Sequence, residues 1–275
     1  MTKAFVIGHP IAHSRSPLIH GTWLKAHGID GSYEAIEVTP EALPQFVAQV
    51  RAGAFAGGNV TIPHKEAVFA LCDEVDPLAR RIGAVNTLVA RNGRVWGTNT
   101  DYLGFMGNLD QEAPGWDDGL AEAIVIGAGG AARAVLVALA ERGLKRIAIL
   151  NRTADKAKSL AAEMGPQFSG HALDAFATLA PDAGLLVNTS SVGMHGTRFD
   201  DLPLAALPAG ALVTDIVYTP LQTPLLADAR ARGLRVVDGL GMLLHQAVPG
   251  FEAWFGTRPQ VTAQLRRTIE ATLEP

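Results

Sequence analysis

Cysteine is almost missing from this chain: Cys72 is the only one in 275 residues. A single thiol excludes an intrachain disulfide and a cysteine-rich metal site, and Cys72 itself reads as a small buried residue on an apolar segment. Charge is sparse as well. Only 18% of residues are charged, the net charge is −4 and the sequence pI is about 6.1, a balance that lacks the basic footprint of a nucleic-acid binder. No apolar run reaches the length of a membrane span. The N-terminal run Lys3–Gly8 stops at His9-Pro10, too short for a secretory signal. The histidines, among them His9, His13, His20, His64, His195 and His245, show no zinc-like spacing, so no metal is expected. What is present is apolar: 48% hydrophobic residues and a mean hydropathy of +0.18. The expectation is a soluble, cytoplasmic protein with a substantial core and enough length for two domains.

The most informative run is Ala123-Ile124-Val125-Ile126-Gly127-Ala128-Gly129-Gly130-Ala131-Ala132. An apolar strand enters a glycine turn and then a helical pattern over residues 131–142. Gly127 permits the turn, Gly129 lets backbone approach a pyrophosphate, and Ala132 keeps helix and sheet close. The helix N-terminus offers free N–H groups to phosphate. A second strand over 146–150 ends where NAD-binding proteins place an acid for the ribose hydroxyls. Here that acid is lacking: the chain reads Asn151-Arg152-Thr153, with Lys156 beyond. A carboxylate repels a 2′-phosphate and a guanidinium grips it, so the cofactor expected is NADP. An ordinary solvated cation after a strand is the plainer reading of Arg152.

Around this fingerprint the chain alternates strand and helix. Strands are predicted at residues 5–7, 32–38, 59–62, 84–90 and 94–97, with the Asn92-Gly93 turn between the last two. Helices are predicted at 17–27, 41–51, 64–72 and 101–109. After residue 150, strands are expected at 185–188, 211–216 and 235–237, a helix at 225–232, and helical segments at 242–247 and 261–273. The fold class is α/β: residues 1–102 form a substrate-binding, catalytic domain and residues 103–238 a Rossmann-type NADP-binding domain. Residues 239–275 are helices returning to the first domain. Ligands tend to bind in the cleft such a chain creates.

Polar residues in apolar surroundings mark the candidate chemistry. In Gly58-Asn59-Val60-Thr61-Ile62-Pro63-His64-Lys65, Asn59 and Thr61 face one side of a buried strand and need partners. Lys65 is placed at the start of the predicted helix 64–72, where a cation is electrostatically misplaced and helix stability does not explain it. Asp101 opens another helix, as a carboxylate complementing the dipole or as a partner for Lys65. Ser16 with Pro17 reads as a helix start and Ser14 as a second hydroxyl beside it, together a carboxylate site. Asn86 is an amide inside an apolar strand, held either by structure or by a ligand. Asn188–Met194 follows a strand at the end where cofactors lie. Gln246 presents an amide to the cleft or to solvent.

Together these motifs resemble the shikimate dehydrogenase family, over nearly the whole chain and in order. The resemblance rests on Ser14–Pro17, Asn59–Lys65, Gly83–Thr87, Gly97–Asp101, Gly127–Ala132, Asn151–Thr153, Asp215–Tyr218 with Pro220 and Pro224, and Gly239–Leu243 with Gln246. It implies NADP-dependent, reversible oxidation of shikimate to 3-dehydroshikimate, on the route to chorismate and the aromatic amino acids. It implies Lys65 as general acid/base and Asp101 as its partner. Ser14, Ser16 and Tyr218 would hold the substrate carboxylate, and Asn59, Thr61, Asn86 and Gln246 would meet its hydroxyls or line the pocket. Gly127, Ala128, Gly129, Gly130 and Ala131 would bind pyrophosphate, and Asn151, Arg152, Thr153 and Lys156 the phosphorylated ribose. Ile216, Gly239 and Met242 would lie by the nicotinamide. Lys156 stands where many members carry a second arginine, and Ile216 replaces a methionine common there, a swap of similar volume. Two alternatives stay open: a quinate/shikimate dehydrogenase using NAD, and a ligand-sensing homologue without turnover. A monomer or a homodimer is expected, without nucleic-acid or membrane partners.

Overall fold

Strand Thr2–Gly8 is apolar on both faces and takes a central place in the first of two sheets. The computed structural model describes residues 1–273, and the last two residues of the expected 239–275 segment lie outside the described residues. The chain divides into two compact units, Met1–Gly104 with Leu244–Thr272, and Phe105–Leu243 joined by Leu273. The boundaries fall a few residues beyond 102 and 238. Both lie inside continuous helices, Asp101–Glu112 and Leu240–Phe255, which carry the chain from one unit to the other.

In the first unit the strands lie in the order Gly31–Glu37, Thr2–Gly8, Gly57–Val60, Thr87–Arg91, Arg94–Thr98, Glu74–Val75. The first three run parallel, and the hairpin Thr87–Arg91/Arg94–Thr98 adds antiparallel. Its turn uses positive φ at Asn92 (52°) and Gly93 (71°), which matches the twist of the flanking strands. Phe5, Ile7, Val47, Val50 and Leu88 form the core on one face.

The predicted helix over 64–72 is absent; only a 3-10 turn, Val68–Leu71, forms there. The reason is a competing bond. The Lys65 carbonyl accepts from Val85 N–H at 2.8 Å, so it is not free for an i to i+4 helical partner. The strand predicted over 84–90 begins later, as Thr87–Arg91, because Val85 gives its N–H to Lys65 in the turn and not to a neighbouring strand. Strand Gly57–Val60 ends one residue before Thr61. The helix Pro77–Ile82 has no periodicity to announce it, although Asp76 caps it through Ala79 N–H and Gly83 closes it at φ 75°.

The C-terminal segment folds as Leu240–Phe255 and Ala263–Glu270, and its part from Leu244 belongs to the first unit. Leu240–Phe255 runs through Pro249, where the sequence pattern stops at 247. Packing overrides the proline: Phe251 and Trp254 lie against His20, and Trp254 Nε1 donates to Leu88 O at 2.8 Å.

The second unit is an all-parallel sheet in the order Arg235–Val237, Leu212–Asp215, Leu185–Asn188, Glu122–Ile126, Arg146–Asn151, Phe168–Ala172. Counted from Glu122–Ile126 as first, that is 3-2-1-4-5-6, the doubly wound dinucleotide-binding arrangement. Ile124, Leu150, Leu186, Val213 and Phe176 pack one of its faces. The edge strand Phe168–Ala172 escapes the periodicity because its middle is Ser169-Gly170-His171. Gly170 is needed there, since a Cβ would overlap the backbone of Ala157 and Lys158 on helix Ala154–Met164. Among the described residues no helix is long and apolar enough to cross a membrane.

Candidate active site

Lys65 and Asp101 meet in the first unit, with Lys65 Nζ donating to Asp101 Oδ2 at 2.6 Å. Their side chains are 26% and 11% exposed, so the pair is shielded yet reachable. Lys65 does not open a helix, so a helix dipole is not what acts on it; it sits in the turn between strand Gly57–Val60 and the 3-10 turn. Three contacts set that turn: Thr61 N–H on Ile7 O (2.9 Å), His64 N–H on Thr61 O (2.9 Å) and Val85 N–H on Lys65 O (2.8 Å). His64 is buried and its Nε2 lies 2.6 Å from Val38 O, an anchor for the loop. Asp101 is the first residue of helix Asp101–Glu112, a position favourable to a carboxylate. Its N–H donates to Asn99 Oδ1 at 3.0 Å.

Asn86 takes the other oxygen of the same carboxylate, donating from Nδ2 to Asp101 Oδ1 at 2.7 Å. Asn59 is 5% exposed, and its amide nitrogen faces Asn86 O (3.3 Å) and Thr87 Oγ1 (3.2 Å). Both of its N–H groups are therefore committed, and only acceptor capacity remains for a ligand. Thr61 is half-buried just past the strand end, and Gln246 is buried on helix Leu240–Phe255.

Ser14 and Ser16 are adjacent but not arranged as predicted. Arg15 holds the N-cap position, Ser16 is the first helical residue, and no side-chain cap forms. Ser14 Oγ instead accepts from Ser16 N–H at 3.3 Å. The Ser16 hydroxyl is thus not engaged in capping the helix. Tyr218 belongs to the second unit, half-buried after strand Leu212–Asp215.

In the second unit, Gly127 turns the chain at φ 114°, and a Cβ there would stand 2.5 Å from Thr189 Oγ1. Thr189 ties the turn to the neighbouring strand, with its N–H and Oγ1 both donating to Ile126 O at 2.7 and 2.8 Å. Cβ atoms at Gly129 and Gly130 would meet nothing within 4 Å. Helix Gly130–Glu141 has no side-chain cap and no acid in its first turn, so its N–H groups and dipole are open to an anion. Arg152, Thr153 and Lys156 are exposed, and among the described residues neither cation is in an ion pair. Asn151 Nδ2 closes the corner onto Thr153 O at 3.0 Å. This set fits a dinucleotide with a phosphorylated ribose: open backbone for pyrophosphate, two free cations and no acid at the strand end, the nearby Asp155 being turned to Lys158 at 3.7 Å. Gly239 packs on Ile216, where a Cβ would stand 2.5 Å from the Ile216 carbonyl, and Met242 is buried nearby in the chain.

Known proteins agree with both halves. Residues 6–88 match the shikimate dehydrogenase substrate-binding domain, residues 117–196 the shikimate/quinate 5-dehydrogenase model, and residues 239–268 the shikimate 5′-dehydrogenase C-terminal domain. The chain is 58% identical over 273 residues to shikimate dehydrogenase (NADP(+)) of Mesorhizobium japonicum, covering 99% of this chain and 97% of that protein. It belongs to the shikimate dehydrogenase family. The Thermus thermophilus shikimate 5-dehydrogenase, solved with NADP(H) and shikimate, superposes with a TM-score of 0.86 at 40% identity over 100% of both chains. A quinate dehydrogenase from Corynebacterium glutamicum, solved with NAD, has a TM-score of 0.89 at 30% identity, covering 98% of this chain and 99% of that one.

For a shikimate dehydrogenase, one functional neighbour has little sequence signal. Asp215 is fully buried and accepts from Asn188 Nδ2 (2.9 Å), Val217 N–H (3.0 Å) and Thr223 Oγ1 (2.7 Å). It pins the start of the Ile216–Tyr218 segment. Burial pushes its pKa up to about 6, against the pull of those three donors. The native state therefore holds a proton between about pH 4 and pH 6 that the unfolded chain releases, so this group's contribution to stability falls as pH rises through that window. Asp215→Asn removes the titration. The stability of wild type relative to this variant is expected to drop by roughly 2–3 kcal/mol between pH 4 and pH 7. Urea unfolding at a series of pH values measures it, and a constant difference would contradict the assignment.

Proposed function

We propose that Lys65 and Asp101 carry the proton in the NADP-dependent, reversible oxidation of shikimate to 3-dehydroshikimate, a step toward chorismate and the aromatic amino acids. The observation that supports this most is the 2.6 Å bond from Lys65 Nζ to Asp101 Oδ2, with Asn86 fixing the second carboxylate oxygen. In the oxidation direction the Lys65 amine takes the proton of a substrate hydroxyl; in reduction its ammonium returns it to the ketone oxygen. Asp101 holds Lys65 in place and balances its charge when protonated, and it accepts a hydrogen bond from the adjacent substrate hydroxyl. NADP, when bound, accepts or returns the hydride.

Ser14, Ser16 and Tyr218 supply hydroxyl donors to the substrate carboxylate. Thr61, Asn86 and Gln246 contact its hydroxyls, and Asn59 lines the pocket with its one remaining acceptor. Gly127–Ala131 and the open N-terminus of helix Gly130–Glu141 hold the pyrophosphate, while Asn151, Arg152, Thr153 and Lys156 hold the 2′-phosphorylated ribose. Ile216, Gly239 and Met242 shape the nicotinamide end. The exposed Arg152 in place of a ribose-binding acid weighs against NAD with quinate. The presence of the complete Lys65–Asp101 pair weighs against a sensor without turnover. A soluble substrate and cofactor fit a cytoplasmic enzyme acting as monomer or homodimer.

Lys65→Ala is expected to lower kcat for shikimate oxidation by roughly 10²–10⁴-fold with little change in shikimate binding. Absorbance at 340 nm follows it, and a fully active variant would remove Lys65 from the chemistry. Arg152→Ala is expected to raise KM for NADP by at least about 10-fold, as loss of a charge-assisted bidentate contact does, while activity with NAD is spared. Equal losses with both cofactors would show that Arg152 does not read the 2′-phosphate.

A further inference from the structure

Behind Asp101 a line of buried side chains continues to the far side of the sheet. Tyr33 Oη donates to Asn59 Oδ1 at 2.6 Å, and Asn59 Nδ2 donates to Thr87 Oγ1 at 3.2 Å. Thr87 Oγ1 donates to Asn86 Oδ1 at 2.9 Å, and Asn86 Nδ2 donates to Asp101 Oδ1 at 2.7 Å. Every member is less than one-tenth exposed.

The orientation of both amides is settled by backbone groups that have no choice of role. Asn86 O is an obligate acceptor and lies 3.3 Å from Asn59 Nδ2, which turns Asn59 Oδ1 toward Tyr33 and makes the phenol the donor. Thr100 N–H is an obligate donor and lies 2.7 Å from Asn86 Oδ1, which turns Asn86 Nδ2 toward Asp101. Thr87 receives from Asn59, and the shorter of its two onward contacts is to Asn86 Oδ1 at 2.9 Å, against 3.2 Å to Thr100 Oγ1, whose own hydroxyl reaches Asn86 Oδ1 at 3.3 Å. All donors along the line thus point toward the carboxylate. The Tyr33 ring is fixed from behind by His20, stacked at 3.9 Å between centroids and 13° between planes. Burial holds His20 neutral, with a pKa lowered to about 3, so the stack carries no charge.

We propose that Tyr33 and Thr87 are positioning residues for Asp101, acting through the amides of Asn59 and Asn86 to fix the plane of the carboxylate that holds Lys65. This rests on the reading of Lys65 and Asp101 as the proton-carrying pair. A one-way line of donors ending on an anion strengthens each of its bonds by polarisation. It also removes the rotational freedom of two amides that would otherwise let the carboxylate turn. Neither Tyr33 nor Thr87 needs to touch substrate for this. Their effect belongs in kcat and in the pH dependence rather than in substrate affinity.

The test compares Tyr33→Phe, Thr87→Val and Thr87→Ser with wild type. Phenylalanine keeps the stack on His20 and removes the phenol, which meets the Ser16 hydroxyl as well as Asn59; valine keeps the shape of threonine and removes only the hydroxyl; serine restores it. Steady-state rates with shikimate and NADP are measured across pH. Side-chain amide exchange of Asn59 and Asn86 is followed by NMR in the protein without ligands. Tyr33→Phe and Thr87→Val are expected to lower kcat about 5- to 20-fold, and Thr87→Val, which touches no proposed carboxylate ligand, keeps KM for shikimate within about 2-fold, because misplacement of a catalytic group falls on the rate. Their pH–rate profiles shift, and Asn86 amide exchange speeds up about 3- to 10-fold, the loss of one hydrogen bond. Thr87→Ser returns to within about 2-fold of wild type. Wild-type kcat, pH profile and exchange in Thr87→Val or Tyr33→Phe would overturn the proposal, as would a Thr87→Ser variant as impaired as Thr87→Val. A wild-type protein that does not oxidise shikimate, with variants that still show the exchange changes, would sink the functional reading and leave the positioning line standing.

Discussion

One buried amide that cannot turn decides where the reactive carboxylate points. Asn86 Oδ1 is held by Thr100 N–H at 2.7 Å, and that N–H stands beside the start of helix Asp101–Glu112. A flipped amide would set two N–H groups against each other and leave the Asp101 oxygen without its donor. Each of those losses in a buried site costs about 1–3 kcal/mol. The amide therefore has a single state, Asp101 Oδ1 has a single partner, and Oδ2 is left to Lys65. A helix start, a side-chain amide and a lysine turn are thereby locked together by groups that lie on three different segments of the chain.

The same locking explains the local irregularity around Lys65. Residues 64–72 carry an acceptable helical pattern, and a regular helix would have given Lys65 O to Phe69. The carbonyl goes to Val85 instead, at 2.8 Å. Most of a helix is lost; the result is a lysine whose backbone hangs from the same short segment, Ala84–Asn86, that orients Asp101. Local propensity loses here because the alternative satisfies the backbone donor of the buried Val85, just before the strand, where leaving it unpaired is costly. The irregular stretch also carries the lysine of the proposed proton-carrying pair, as expected of sites that break local rules.

Much of this is legible in the residues. The alternation of apolar runs with glycine and proline breaks marks the α/β class, and the glycine turn with Asn151-Arg152 is enough by itself to point to NADP. Lys65, Asp101 and Asn86 stand out as polar groups in apolar settings. Other features are hidden for physical reasons. Tyr33, His20 and Thr87 are polar in name but pack as core side chains, so neither periodicity nor charge marks them. The strand Phe168–Ala172 lacks apolar residues at its centre because Gly170 must admit a helix backbone. The helix through Pro249 is unreadable because its support comes from His20 and Leu88, more than 150 positions away in the chain. Asp215 looks like any aspartate at a strand end; only burial and three donors distinguish it.

Two helix N-termini show how one electrostatic device serves opposite ends. Helix Asp101–Glu112 begins with its own carboxylate, which answers the positive end of the dipole and is held there by Asn86 Nδ2 and Lys65 Nζ, while the Asp101 N–H donates to Asn99 Oδ1. Helix Gly130–Glu141 begins with glycine and alanine, has no acid in its first turn and has no capping side chain. The first helix keeps its anion as part of the protein, where it is the fixed counter-charge that the role proposed for Lys65 needs. The second leaves the same place empty of side chains, because the negative charge to be held there arrives with the dinucleotide. A carboxylate introduced at Gly129 or Gly130 would satisfy the helix and repel the pyrophosphate. The absence of a cap at that terminus is thus as functional as the presence of Asp101 at the other.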